Sequence, residues 1–232
     1  MSIEFNDVFY KYRTDKFQLE LNEIEIESNS ITCLIGPNGM GKTTLLYLLS
    51  NLYKPQRGTI IIDGLNYINN SFEIYKNSYF SVDFSSFYQN LNSYTNLRLQ
   101  CIYRQVSEKR INEVLEIVGL ENDKKKFKKF STGMKQKLNI ASALLHKPKL
   151  IVLDEPFNGL DPGSVITLKN IFTDLNTSNG TTIVMTTHLL KEADSFCTNY
   201  CIMNYGSIVE SNKIDKDFAN LESRYKSVFQ IN

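Results

Sequence analysis

Apolar positions along this chain recur with three different periods. Phe17, Leu19 and Leu21, and then Ile24 and Ile26, alternate with polar residues, a period of two that predicts antiparallel strands with one wet face. Gly58-Thr-Ile-Ile-Ile-Asp-Gly64 reads as a further strand between turns. From about residue 90 to 145 the period becomes helical. Leu91, Leu97, Leu99 and Ile102 come first, then Ile111, Val114, Leu115 and Val118, with Ser107 available as an N-cap. Met134–Leu145 reads as a further helix. The third kind of run is continuous. Ile31–Ile35, Leu150–Leu153 and Thr182–Thr186 are apolar enough to be strands covered on both faces. Val165, Leu168, Ile171, Phe172 and Leu175 mark one helix face, and Gly180 can end that connection. Cys201–Met203, Tyr205-Gly206 and Ile208-Val209 read as a closing hairpin. Strands alternating with helices predict an α/β fold with a parallel central sheet. The antiparallel strands form a subdomain beside it, and the helices of residues 86–145 form an inserted α-helical subdomain. The core is then 1–85 and 146–232.

Between the strand at Ile31–Ile35 and a leucine-rich helix pattern lies Gly36-Pro-Asn-Gly39-Met-Gly41-Lys42-Thr43. Its spacing is G-x-x-x-x-G-K-[ST], placed between strand and helix as that motif requires. The glycines let the backbone approach phosphates closely, and the N–H groups and helix N-terminus turn positive dipole ends toward the anion. Lys42 is expected to reach the β- and γ-phosphates, and the Thr43 hydroxyl to hold Mg²⁺.

A second constellation follows the strand at Leu150–Leu153. Asp154, at its end, can hold Mg²⁺ directly or through water, and the adjacent Glu155 could polarise an attacking water. The alternative is a salt-bridged pair of strand-end acids. Ligands of parallel sheets bind at the carboxyl ends of the strands. Lys42, Asp154 and His188 all follow apolar strand runs and are expected to converge there. A third element, Ser131-Thr-Gly-Met-Lys-Gln136, opens the last helix of the middle block. Ser131 is either only an N-cap, or part of a helix N-terminus that faces a phosphate.

Composition narrows the partners. The chain has 232 residues and a net charge of +1, which gives no reason to expect nucleic acid. No apolar run is long enough to span a membrane, and the start Met1-Ser-Ile-Glu-Phe5 does not read as a signal peptide. A cytoplasmic location is the default expectation. The 4 cysteines, Cys33, Cys101, Cys197 and Cys201, lack the spacing of a metal set. They are expected to be small apolar residues in a reducing compartment.

Taken in order, these motifs resemble the ATP-binding subunit of an ABC transporter, a P-loop NTPase of RecA-like fold, along essentially the whole chain. Gly36–Thr44 is similar to the Walker A loop, Ser131–Gln136 to the ABC signature and Ile151–Pro156 to Walker B with its catalytic glutamate. Asn158-Gly-Leu-Asp161-Pro162 is similar to the D-loop, and Thr187-His188 to the switch histidine. The resemblance implies that Gly36, Pro37, Asn38, Gly39, Gly41, Lys42, Thr43 and Thr44 bind the ATP phosphates, with Mg²⁺ as cofactor. It implies that Tyr12 stacks on adenine, that Glu155 is the general base or orients the water, and that His188 contacts the γ-phosphate. It further implies a head-to-tail dimer, with itself or with a sister subunit. There Ser131 and Gly133 of one subunit would meet the γ-phosphate held by Lys42 of the other, and Asp161 would be a further residue that binds the nucleotide. A polytopic membrane subunit would be the partner, with this chain on the cytoplasmic face of the cell membrane.

The sequence departs from the family pattern at three positions. Thr132 stands where Gly is common and Met134 where Gln is common. Signatures with Met-Lys-Gln look like those of exporters for drugs, antimicrobial peptides or lipids whose membrane subunits are separately encoded. Asp83 falls where the family usually has Gln, with Gln89 as the other candidate. Transporters concerned with lantibiotic immunity resemble this chain in carrying an acid there. Asp83 could bind Mg²⁺ through a water or be a solvated loop acid. Lys124–Lys129 reads as a solvated charge run or as a contact for an anionic membrane or acidic partner, and His146 as a surface residue at a helix end. The expected function is an ATPase that drives transport, in the direction of export. The alternatives are a soluble ABC ATPase that moves no substrate, and a nucleotide sensor that does not hydrolyse.

Overall fold

The computed structural model describes residues 1–13, 17–82, 86–121, 124–214 and 220–231. They form two compact units, one of Met1–Val82, Lys149–Glu155 and Thr173–Asn232, the other of Asp83–Pro148 and Pro156–Phe172. Asp83 lies outside the described residues.

The first unit opens with β1 (Ile3–Lys11), which pairs antiparallel with β2 (Gln18–Leu21) and β3 (Ile24–Ile26). Ile3 and Phe5 are buried, and so is Val8, although it falls on the other parity. A bulge resets the alternation: the pairing of β1 with β5 (Arg57–Ile62) shifts between Asn6 and Phe9, and Asp7 is left-handed at φ 50°. Gly58 lies against it at φ 81°, where an added Cβ would stand 2.2 Å from the Asp7 carbonyl oxygen. Only glycine fits there. Along the chain, β4 (Ile31–Ile35), fully buried, leads into α1 (Lys42–Leu49), which buries Leu45, Leu46, Leu48 and Leu49. After β5 come β6 (Leu65–Asn66), α2 (Ser71–Lys76) and β7 (Ser78–Ser81).

The second unit holds α3 (Ser93–Arg104), α4 (Ile111–Ile117) and α5 (Thr132–Leu145). Leu97, Cys101, Ile111, Val114, Leu115, Phe127 and Leu138 are among its buried side chains. Asn92 caps α3 by accepting from the Thr95 N–H at 2.9 Å. Ser107 caps the 3₁₀ turn Glu108–Arg110, one turn before α4. Buried Asn96 fastens the preceding loop, accepting from the Tyr88 N–H at 2.7 Å and donating to the Tyr88 and Leu91 carbonyls.

The chain returns to the first unit in β8 (Leu150–Leu153). Helix α6 (Pro162–Asn179) begins in the second unit and ends in the first. It is followed by β9 (Thr182–Thr186), α7 (Leu190–Phe196), β10 (Asn199–Asn204), β11 (Ser207–Lys213) and α8 (Leu221–Phe229). Among the described residues, one sheet has the order β11-β10-β4-β9-β8-β7. All its pairings are parallel except the closing hairpin of β10 and β11. The other sheet is antiparallel, in the order β2-β1-β5-β6 with β3 beside β1. The expected α/β fold, a parallel core with an antiparallel neighbour, is the one the chain adopts. Cys33, Cys101, Cys197 and Cys201 are buried free thiols.

Candidate functional site

The loop from Gly36 to Gly41 leaves β4 and turns into α1 through Gly41, whose φ of 103° is left-handed. The Gly41 carbonyl accepts the Leu45 N–H at 2.9 Å. The first turn of α1 carries no acidic side chain of its own, and its N-terminus turns a positive field toward the loop. Lys42 is only 7% exposed. Its ammonium donates to the carbonyls of Gly36 at 2.6 Å and Pro37 at 3.0 Å. Burial pulls the Lys42 pKa below the ordinary lysine value, and the charges of Glu155 and Asp154 oppose that pull. A buried cation in this position favours an anionic ligand.

Opposite the loop, Asp154 directly follows β8. Its Oδ2 accepts from Thr43 Oγ1 at 3.1 Å, its Oδ1 accepts from the Thr186 hydroxyl, and its N–H donates to the Ser81 carbonyl at 3.1 Å. Glu155 has a left-handed φ of 46°, a conformation that costs a β-carbon residue about 1–3 kcal/mol. Its N–H donates to Thr186 Oγ1 at 2.8 Å, and its Oε2 lies 2.8 Å from His188 Nδ1. A carboxylate only accepts, so Nδ1 is the donor. Asp154 directly follows β8 and His188 lies two residues past β9, whereas Lys42 begins α1 beyond the loop that leaves β4. Asp154 and Glu155 close a cavity of about 470 Å³ whose other walls include Asn38, Gly39, Gly41, Lys42, Thr43 and Thr44.

The remaining wall of that cavity is aromatic, made by Tyr12 and Phe17. The Tyr12 hydroxyl shares a hydrogen bond with Thr44 Oγ1 at 3.0 Å. Its ring packs edge-on against Tyr10 and Tyr53, at centroid distances of 5.1 and 5.7 Å, and those two stack on each other at 5.2 Å. The donor set matches a metal triphosphate. The Thr43 hydroxyl and the Asp154 carboxylate are hard oxygen ligands of the kind Mg²⁺ takes, beside a buried ammonium and a glycine-lined helix N-terminus.

Ser131, Gly133 and Asp161 belong to the second unit. Ser131 caps α5, accepting from the Met134 N–H at 3.2 Å. Gly133 is closely packed: an added Cβ would stand 2.9 Å from the Gly159 carbonyl oxygen. Asp161 accepts from the Ser164 N–H at 3.0 Å and from its hydroxyl at 2.5 Å, and these bonds hold its pKa below the usual carboxylate range. Gln89 is exposed, and its carbonyl accepts the Lys128 N–H at 3.0 Å. His146 is half-buried just past α5, with its Nε2 3.1 Å from Arg104 Nη1.

Sequence reasoning missed two residues of the cavity region. Thr186 was visible only as the end of a buried strand, and Phe17 only as an alternating strand position. A hydroxyl at the carboxyl end of a strand adjacent to β8 was the available signal for Thr186.

The family model for ABC transporters matches residues 19–158. An uncharacterized ABC transporter ATP-binding protein of Bacillus subtilis, YcbN, is 40% identical over 189 residues, covering 81% of this chain and 62% of that protein. The chain thus spans under two thirds of that relative's length. The bacitracin transport ATP-binding protein BcrA of Bacillus licheniformis is 38% identical over 231 residues, covering 99% of this chain and 74% of that protein. A solved structure of the ATP-binding subunit of an ABC transporter is similar with a TM-score of 0.85 at 27% identity, covering 99% of this chain and 100% of that one. Walker-type loop, strand-end acids and signature thus lie in a chain that belongs to the ABC transporter family, among its ATP-binding proteins.

Proposed function

We propose that this chain binds and hydrolyses ATP to drive transport by a separate membrane subunit, in the direction of export. What supports the reading most is the cavity that brings Lys42, Thr43, Asp154 and Glu155 together, with His188 on Glu155. Lys42, released from the Gly36 and Pro37 carbonyls, would hold the β- and γ-phosphates. The N–H groups from Gly39 to Thr44 would cradle the same anion. Thr43 and Asp154 would hold Mg²⁺, whose charge would neutralise that developing on the transferred phosphoryl group. Glu155 would take a proton from the attacking water or orient it, and His188 would keep the carboxylate aimed. Tyr12 would stack on the base.

In this proposal the core 1–85 and 146–232 and the helical block of residues 86–145 work as one ATP-binding domain. Two copies, or one copy and a sister subunit, close on two ATP molecules through Ser131, Gly133 and Asp161. Asp83 is retained as a water-mediated Mg²⁺ contact. A polytopic partner would hold this chain at the cytoplasmic face; no described helix is long and apolar enough to cross a membrane. The likeness to a bacitracin transport protein makes a peptide antibiotic the first substrate class to test.

Light scattering after size exclusion tests the central claim. The Glu155→Gln variant should be monomeric alone and dimeric with Mg-ATP, with turnover nearly abolished. Hydrolysis at the wild-type rate in that variant would remove Glu155 from its role.

A further inference from the structure

We infer that the Thr186 hydroxyl is a positioning group that sets the metal-holding carboxylate and the water-activating carboxylate together. The inference rests on the function proposed above. Thr186 ends β9, immediately beside β8 in the parallel sheet, where Leu153 pairs with Met185. It is fully buried. Its one hydroxyl does two things at once. The oxygen accepts the Glu155 N–H at 2.8 Å, and the proton goes to Asp154 Oδ1. Asp154 and Glu155 are adjacent in sequence, so their side chains leave a strand-like backbone on opposite sides. The left-handed φ of 46° at Glu155 breaks that alternation. The bond from Thr186 to the Glu155 amide is what the structure offers to hold that turn. The proton donated to Oδ1 fixes the rotamer of Asp154 and leaves Oδ2 toward Thr43. A valine in place of Thr186 would keep shape and volume but supply neither bond.

The hydroxyl touches neither of the proposed reacting atoms, so its loss should appear in turnover and metal use rather than in nucleotide capture. Thr186→Val and Thr186→Ala are compared with Thr186→Ser, all with thermal melts to confirm folding. If valine prevents folding, alanine carries the test. Expected are a kcat lowered by about 10-fold to 100-fold, a raised Mg²⁺ concentration for half-activation, and unchanged ATP affinity in EDTA. Thr186→Ser should restore most of the turnover. Wild-type kcat and Mg²⁺ requirement in a folded hydroxyl-free variant would overturn the inference and leave the ATPase reading standing. A serine variant as slow as valine would also overturn it. Absence of turnover in the wild-type protein would overturn both.

Discussion

His188 Nδ1 lies 2.8 Å from Glu155 Oε2, so one oxygen of the carboxylate is fixed by a ring carried on the neighbouring strand's exit. The ring holds that oxygen through a contact within the protein itself. General-base assistance is worth about 10²–10⁴-fold. Glu155→Gln should lose that much in kcat while keeping ATP binding. His188→Ala should lose less, about 10-fold to 100-fold, because it removes the aim and not the base. The double variant should be no slower than Glu155→Gln alone, since residues acting as one unit are not additive. Steady-state ATPase assays on the three proteins check this. A multiplicative double variant would give His188 an independent task.

The Thr43–Asp154 hydrogen bond of 3.1 Å joins two oxygen donors from opposite sides of the cavity. If the pair holds Mg²⁺, Asp154→Asn should abolish the gain in ATP affinity that Mg²⁺ brings and leave affinity in EDTA close to wild type. Titrations of a fluorescent ATP analogue with and without Mg²⁺ read both. Equal Mg²⁺ gains in variant and wild type would place the metal elsewhere.

Much of this arrangement was legible in the chain. The uninterrupted runs of β4, β8 and β9 could only be strands covered on both faces. Asp154 and His188 follow the carboxyl ends of β8 and β9, and Lys42 opens the helix after β4, the side of a parallel sheet where ligands bind. What the sequence concealed has a physical reason in each case. Val8 breaks the parity set by Ile3 and Phe5, because the bulge at Asp7 inserts a residue that no periodicity rule foresees. Ser107 was read as the cap of α4, but an intervening 3₁₀ turn takes its bond. Thr186 reaches the strand-end acids through the pairing of β9 with β8, segments far apart in the chain, and such pairing is not written in local pattern.

The aromatic wall and the glycine loop form different sides of the cavity, so the proposed base and phosphate contacts can be tested apart. Tyr12 is braced by Tyr10 and Tyr53 and tied to Thr44, so its ring cannot swing freely. Stacking of a base on an aromatic ring is worth about 1–3 kcal/mol, or roughly 5-fold to 150-fold in affinity. Tyr12→Ala should weaken ATP by that factor and leave inorganic tripolyphosphate unaffected, as measured by competition. Tyr12→Phe, which keeps the ring and loses the tie to Thr44, should stay within a few-fold of wild type. Equal weakening of ATP and tripolyphosphate in Tyr12→Ala would show that the ring supports the loop and not the base.

Gly133 makes a comparable test in the second unit. A β-carbon there would come within 2.9 Å of the Gly159 carbonyl oxygen, and a backbone oxygen cannot step aside as a side chain can. Gly133→Ala should cost about 1–3 kcal/mol, a drop of about 2–12 °C in Tm for a chain of this size. Introduced into Glu155→Gln, it should also weaken the ATP-dependent dimer. A lowered Tm with an unchanged dimer would make Gly133 a packing residue alone.

The buried ammonium of Lys42 gives nucleotide binding a pH dependence whose sign can be worked out. Burial lowers its pKa below the ordinary value of 10.5, against the pull of Glu155 and Asp154. In the proposed role the charged form is the one that holds phosphates. Affinity is therefore complete at neutral pH and is lost as pH rises through the lowered value, earlier than an exposed lysine would lose it. The ATP phosphates are already fully ionised in that range and contribute no opposing change. Lys42→Arg keeps a cation that does not deprotonate in proteins, so whatever affinity it retains should be flat over the same interval. Calorimetric titrations of Mg-ATP from neutral pH to about pH 10 should show the wild-type curve falling and the arginine curve level. Parallel curves would assign the loss to some other group.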